Sequence, residues 1–150
     1  NQTFSPALYT VMTSALESMK GVDNLELFLK VSLQANSPEM ARVITEIAVL
    51  TAGYHTNIAP LKTIVPMARI TKAVTAKGTI AVVLPTDYLI WSERVVGAIT
   101  EISERTPEAG SGDKELWVLG DLSKTAHEEF KKAGWKIQTG ARDQLLAKKD

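Results

Sequence analysis

The stretch from Lys114 to Gly140 constrains the fold most, because its pattern is strand, turn, helix, turn and strand. A short apolar run leads to Gly120-Asp121, and Ser123 then suits the N-cap of the helix. At the other end Gly134 suits a left-handed C-terminal residue, and a second short strand follows it. Two short strands joined by one helix usually lie parallel, with a right-handed crossover. The stretch therefore predicts one βαβ unit.

Two segments before this unit predict a β-hairpin. Residues 69–75 and 79–84 flank a Lys77-Gly78 turn, and the second segment contains the continuous apolar run Ile80–Leu84. Such a run is typical of a strand that is covered on both faces. The pattern of residues 86–91 fits either a helical turn or a continued strand. The rest of this half is predicted as a helix from Ser92, an exposed loop at 106–113 and a last short helix at 141–149.

Three helices are predicted before the hairpin from their start signals. Ser5-Pro6 begins the first, Asp23 or Asn24 the second, and Ser37-Pro38 the third. The second helix, Leu25–Leu33, has almost no polar side, which predicts that it lies in the middle of the helical part. The third keeps a helical period to Tyr54.

The end of the third helix is expected to be loosened by Gly53. The following residues 55–67 contain two prolines and are predicted as an irregular connection. Together these elements predict an α/β fold, with α+β as the alternative: three N-terminal helices packed on a small mixed, mainly parallel sheet with βαβ units. The length suits one globular domain over residues 1–150, with a helical part at 1–56 and an α/β part at 68–150.

Composition limits the classes of function. The formal net charge is zero, so we expect no nucleic-acid partner, and no apolar run is long enough to span a membrane. The chain has no cysteine, which excludes disulfides, cysteine-zinc sites and cysteine nucleophiles and is compatible with an oxidising compartment. Because it starts at Asn1 rather than Met, we expect a processed protein or an excised piece.

Charged side chains are distributed unevenly along the chain. Residues 1–68 carry 9 of them and residues 69–150 carry 25. Either the front helices are buried against the rest of the domain, or they form a surface for another chain. The second interpretation predicts a flat apolar face across Leu8, Val11, Leu16 and Met19.

Two strand-end loops are candidates for binding a small molecule or an anion, Pro85–Asp87 and Gly120–Ser123. Ligands often bind at the carboxyl ends of parallel strands, where free amides at a helix start can hold an anion. The candidate ligand-binding residues are Asp87, Gly120, Asp121 and Ser123. No glycine-rich phosphate motif is present, and Asp121 would repel an anion, so a cap-and-turn role is the alternative.

No catalytic residues, metal site or cofactor are predicted. Asp121, Ser123 and His127 are the residue types of a hydrolase triad, but Ser123 is expected to cap a helix and no nucleophile elbow is present. The two histidines, His55 and His127, lack a metal-binding spacing. A mild basic face of lysines 124, 131, 132 and 136 is balanced by Glu128 and Glu129.

Two segments resemble the C-terminal part of uncharacterised exported bacterial proteins: PTDYLIWSERV at 85–95 and LWVLGDLSKTAHEEFKKAGWKI at 116–137. In those proteins a Tyr-aliphatic-Trp segment precedes a helix, and a strand-helix-Gly-Trp-strand unit ends the domain. The resemblance covers residues 45–138. It implies a bacterial source and a periplasmic or secreted location, with a cytoplasmic one left open, and it supplies no activity and no catalytic residues.

The sequence thus favours a non-catalytic interaction or scaffolding module over an enzyme. We expect a protein partner or self-association through the charge-poor N-terminal helices. The alternative is a small-molecule- or anion-binding α/β domain, possibly an enzyme, that uses the two strand-end loops. Neither the ligand nor the oligomeric state follows from the sequence.

Overall fold

A computed structural model describes residues 3–66, 71–95, 97–98 and 112–147 of the chain. The helices are α1 (Pro6–Ser18), α2 (Glu26–Leu33), α3 (Pro38–Asn57), α4 (Lys124–Lys132) and α5 (Arg142–Leu145). The strands are β1 (Leu61–Pro66), β2 (Thr71–Thr75), β3 (Ile80–Leu84), β4 (Tyr88–Leu89), β5 (Lys114–Val118), β6 (Asp121–Leu122) and β7 (Trp135–Gln138). Residues 93–95 and 97–98 are also helical.

The main sheet has five strands in the order β1-β2-β3-β5-β7, and β4 pairs with β6 in a second, small sheet. The pairs β1–β2 and β2–β3 are antiparallel, and the second of these confirms the predicted hairpin. The pairs β3–β5, β5–β7 and β4–β6 are parallel. Among the described residues parallel pairs therefore outnumber antiparallel ones, and the predicted mixed α/β fold is confirmed.

The predicted βαβ unit is present as β5, α4 and β7. The Ser123 hydroxyl oxygen accepts a hydrogen bond from the Ala126 amide at 3.1 Å, so Ser123 is the N-cap. Gly134 follows the helix with a φ of 89°, a left-handed conformation that glycine adopts without strain. The chain then enters β7, which lies parallel to β5. Local signals were sufficient here because both helix ends are fixed by nearby residues.

The main sheet separates two apolar clusters, one on each face. Successive side chains of a strand point to opposite faces, so β3 contributes to both clusters. Ile80, Val82 and Leu84 pack in the cluster that contains Phe130 of α4. Ala81 and Val83 belong to the cluster of the front helices. All five residues of β3 are buried, which confirms the prediction that this strand is covered on both faces.

The prediction that the second helix is central was wrong. Leu29 and Leu33 of α2 are exposed, and only Phe28 and Ser32 of this helix are buried. The central helix is α3, which contacts α1, α2, α5, β2 and β3. A helix that is apolar on all sides is expected to pack against other apolar surfaces. Whether those surfaces lie inside the fold depends on how the other elements are arranged.

Two predictions at the end of the third helix were also wrong. Gly53 does not loosen the helix, which continues to Asn57. Instead, a Cβ atom at Gly53 would overlap the backbone carbonyl of Leu145, so this glycine allows α5 to approach α3 closely. The connection predicted at 55–67 contains strand β1, which pairs with β2 from Leu61 to Pro66. Pairing with β2, which the local pattern does not show, makes this proline-flanked segment a strand.

The remaining predicted elements have mixed outcomes. Residues 86–91, left open between helix and strand, contain β4. The last helix is shorter than predicted, with bounds at Arg142 and Leu145. Most of the predicted loop at 106–113 and most of the helix from Ser92 lie outside the described residues; residues 112 and 113 are exposed and belong to no helix or strand.

Candidate functional site

The two predicted ligand loops meet at the carboxyl ends of β3 and β5. These strands are parallel neighbours, with Leu84 opposite Val118, so the residues that follow them are brought together. The approach is so close that a Cβ atom at Gly120 would overlap the backbone carbonyl of Asp87. Gly120 is therefore required for the contact between the two loops, a role that the sequence pattern did not reveal.

The amides of this turn are used inside the chain. Three of these amides donate to carbonyls of residues 86–89. They are Gly120 to Thr86 at 2.9 Å, Asp121 to Asp87 at 2.9 Å and Ser123 to Leu89 at 2.8 Å. The Leu122 amide donates to the Asp121 carboxylate at 2.7 Å. Since these four amides already have acceptors, they cannot hold an anion without breaking the small sheet.

The polar side chains at this turn are exposed rather than gathered in a pocket. Both Asp87 and Asp121 are exposed. His127 Nε2 lies 3.9 Å from Asp121 Oδ1, and the Ser123 hydroxyl oxygen is bonded to the helix as its cap. The three triad residue types are thus neighbours, but the serine is not hydrogen-bonded to the histidine. The geometry supports the cap-and-turn interpretation.

The other histidine has a structural bond. His55 Nδ1 accepts a hydrogen bond from the Leu61 amide at 3.0 Å and so ties the end of α3 to the start of β1. Within the described ranges, no three histidine, aspartate or glutamate side chains come together as metal ligands.

One buried polar cluster was missed by the sequence analysis. The Tyr54 hydroxyl donates to Glu115 Oε1 at 2.7 Å, and Trp117 Nε1 donates to the same oxygen at 3.0 Å. The two rings meet edge to face at 5.5 Å. Burial, together with the hydrogen bond and negative charge of Glu115, raises the pKa of Tyr54 well above its usual range. The cluster joins α3 to β5, and the acidic residue in an apolar strand was its only sequence signal.

Three adjoining grooves cross the outer surface of the front helices. The groove between α1 and α2 has a volume of about 550 Å³ and is lined by Phe4, Pro6, Tyr9, Thr10, Ser32 and Leu33. The groove between α1 and α3, about 480 Å³, is lined by Thr10, Val11, Ser14, Ala15, Ser18, Val49 and Ala52. The third, of about 250 Å³, is lined by Ser18, Ala52, Gly53, Thr56, Asn57, Leu145, Leu146 and Ala147. We call these eighteen residues the uncharged belt.

The uncharged belt is continuous and contains no charged side chain. The first two grooves share Thr10, and the second and third share Ser18 and Ala52. Charged residues make up 23% of the chain, so about four would be expected among eighteen. A fourth groove, near β1, has the usual surface composition, since it is lined by Asp23, Glu26 and Lys62 among other residues. Of these four grooves, the three that form the belt lack charge and the fourth does not.

The belt also exposes large apolar side chains. The exposed fractions are 49% for Tyr9, 47% for Val11 and 72% for Leu33. The flat face predicted across Leu8, Val11, Leu16 and Met19 is different: Met19 is fully buried, and only Val11 of these four is exposed. The predicted stripe mostly packs inside the fold, and the exposed surface lies on the other sides of α1.

Three hydroxyl groups on the belt form hydrogen bonds within their own helices. The Thr10 hydroxyl donates to the Pro6 carbonyl at 2.9 Å, the Ser18 hydroxyl to the Ala15 carbonyl at 2.7 Å and the Ser32 hydroxyl to the Leu29 carbonyl at 2.7 Å. Next to the belt, Thr13 donates to Tyr9 O at 3.0 Å. Such side chains do not need water as a hydrogen-bond acceptor, so another protein can cover them without leaving an unsatisfied donor.

Comparisons of the chain with protein-family models, with curated proteins and with solved structures find no match. Among the helices of the described part of the chain, none combines the length and the apolar character needed to cross a membrane.

Proposed function

We propose that this chain is a non-catalytic interaction module that binds protein through the uncharged belt. The observation that carries the proposal is that eighteen residues line three connected surface grooves without a charge, in a chain of which 23% is charged. Contiguous exposed apolar surface marks interaction sites in folded proteins. Interface cores are also depleted of charged residues and enriched in aromatic residues. The belt has the exposed aromatic residue Tyr9.

Covering the belt is energetically inexpensive. No charged group has to be desolvated, and the hydroxyls of Thr10, Ser18 and Ser32 already have acceptors. Burying an apolar side chain fully contributes about 1.5–3 kcal/mol. Tyr9, Val11 and Leu33 are each about half or more exposed, so covering them recovers much of that amount at each position.

We also propose that the module belongs to an exported bacterial protein, on the resemblance of residues 85–95 and 116–137 alone. Fractionation of cells from a bacterial source tests this point. Recovery of the chain from the periplasm or the medium is expected, and recovery from the cytoplasm alone would contradict it.

Ligand binding at the strand-end loops is the weaker function. It would need amides that are free to hold an anion, or buried carboxylates. The amides of Gly120, Asp121 and Ser123 donate to the neighbouring loop instead, and Asp87 and Asp121 are exposed.

The experiment for the interaction function must keep the front helices in place. Ile44, Ile47 and Leu50 of α3 are buried in the core, so truncating the chain before Asn57 would unfold it whatever its function. We instead suggest a photo-crosslinking residue at Val11 or Leu33 of the full chain, used in cells that produce the protein. In the controls the photo-crosslinking residue replaces Lys62 or Glu128, which are exposed and lie outside the belt.

Belt positions are expected to give adducts of defined higher mass, and the control positions are not. A second substitution, Ser14→Arg, introduces a charge into the belt and is expected to reduce the adduct yield at Leu33 by about tenfold or more, because an unpaired charge is costly to bury. Equal adducts from all positions, or none from the belt, would overturn the proposal.

A further inference from the structure

We infer that the occupant of the uncharged belt is a second copy of this chain, with the two α1 helices packed antiparallel across a two-fold axis. This rests on the proposed interaction function and names its partner. In such a pair every contact occurs twice, and a surface patch must be complementary to itself. The exposed side of α1 meets that requirement in both register and charge.

The register follows from four exposed residues on one side of α1, Ala7, Val11, Ser14 and Ser18. Their spacing of four, three and four places them on one helical face. When two copies run antiparallel about an axis level with residues 12 and 13, the same register places Val11 of one copy opposite Ser14 of the other and Ala7 opposite Ser18. The exposed Val11 thus meets a small side chain and lies against the groove between α1 and α3.

Glu17 is the only charged residue of α1. It lies in the last turn, where a carboxylate interacts unfavourably with the negative end of its own helix dipole. The first turn of α1 has no acidic residue. In the antiparallel pair, Glu17 of each copy lies level with Leu8 of the other and beside the positive N-terminal turn. A parallel pair would place both carboxylates together at one end.

The size of the patch fits a self-association somewhat smaller than a standard interface. A standard interface uses roughly 20–30 residues on each side, and the belt has eighteen. The formal net charge of zero means that two copies approach each other without net repulsion.

The first test is light scattering on the purified full chain over a range of concentrations. A particle of twice the chain mass of 16.3 kDa is expected. Ser14→Arg places two like charges close to the axis and is expected to raise Kd by roughly 100-fold. Thr125→Arg on α4 is the matched control, because it adds the same single charge at an exposed residue off the belt, and it should leave Kd unchanged. Circular dichroism establishes that both variants are folded.

The orientation is tested by disulfide formation, which is unambiguous because the chain has no cysteine. The antiparallel register predicts that a mixture of Ala7→Cys and Ser18→Cys chains forms a mixed disulfide on oxidation. Ala7→Cys alone is expected to form none, since its two copies would be about eleven residues apart along the helix, on the order of 16 Å. Crosslinking of Ala7→Cys with itself would overturn the antiparallel arrangement.

A chain that stays monomeric at millimolar concentration would overturn the second copy as the occupant. The interaction function would still stand if the belt positions gave cellular adducts whose mass differs from twice that of the chain. Absence of any belt-specific adduct would overturn both. The two proposals therefore fail on different observations.

Discussion

The helices α1 and α4 lie on opposite sides of the same sheet and differ mainly in their outer surfaces. Each buries apolar residues, Met12 and Ala15 in α1 and Ala126 and Phe130 in α4. Outside, α4 carries five Asp, Glu, Lys or Arg residues among nine, whereas α1 carries one among thirteen. The two helices are therefore alike in burying an apolar stripe and differ in the charge of their outer surfaces.

This contrast shows that the charge-poor front of the sequence has two causes. Part of it is core, since α3 lies between α1 and the sheet and is largely buried. The other part is the uncharged belt, in which fourteen of the eighteen residues are at least partly exposed. Burial of the front helices is therefore shown for α3, whereas a partner for the belt stays a proposal.

Phe130→Ala and Leu33→Ala are expected to separate core from surface most clearly. Phe130 is buried between the edges of Trp91 and Trp135, so its truncation should lower the free energy of unfolding by about 3–5 kcal/mol. Leu33 is 72% exposed, and its truncation should change stability by less than about 0.5 kcal/mol at a concentration where the chain is monomeric. Chemical denaturation measures both. A loss above about 2 kcal/mol for Leu33→Ala would mean that the belt is core.

Gly53→Ala is expected to destabilise the front layer by about 3 kcal/mol. Replacing glycine by alanine within a helix usually stabilises it by about 1 kcal/mol, but here the added methyl group would overlap the Leu145 carbonyl. Gly97→Ala is the matched control, because a Cβ atom at that helical residue has no neighbour within 4 Å. Thermal unfolding should show opposite shifts in Tm. Stabilisation by both substitutions would mean that α5 does not pack against α3 as described.

Tyr54→Phe is expected to cost about 2 kcal/mol near neutral pH, because it removes the hydrogen bond from a buried hydroxyl to the half-buried Glu115 carboxylate. The pKa of Tyr54 is raised in the folded chain, so the folded state keeps a proton that the unfolded state loses above about pH 10. Stability should therefore be fully present below that pH and fall as the pH rises beyond it. Urea denaturation at several alkaline pH values should show a smaller fall in Tyr54→Phe. If stability fell equally with pH in the unsubstituted chain and in Tyr54→Phe, Tyr54 would not be the group responsible for the alkaline loss.

Ser5→Ala and Ser123→Ala are expected to cost about 1 kcal/mol each, the smallest of these effects. Both hydroxyl oxygens accept a bond from a helix amide at 3.1 Å, from Leu8 in α1 and from Ala126 in α4. Equal losses of stability would show that the two helices start alike and differ only in their outer surfaces. Loss of binding to a small molecule with stability intact in Ser123→Ala would instead support the ligand function.

Patterns within a few residues determined much of this protein. The caps at Ser5, Ser37 and Ser123 start their helices as predicted, and Gly78 and Gly134 adopt the positive φ that their turns need. The alternating contacts of β3 follow from its unbroken apolar run. These features depend on hydrogen bonds and side-chain sterics between near neighbours in sequence, which is why the sequence alone determined the α/β fold and its central βαβ unit.

Contacts between distant residues decided the rest. Strand β1 exists because β2 pairs with it, and Gly53 and Gly120 are required by the backbones of Leu145 and Asp87. Joining Tyr54 to Glu115 needed the packing of α3 on the sheet. The uncharged belt is assembled from residues 4 to 147, and no local pattern distinguishes an apolar residue that is buried from one that is exposed. That distinction depends on the free energy of packing whole elements together, so only the tertiary structure decided which part of the charge-poor front is core and which part is surface.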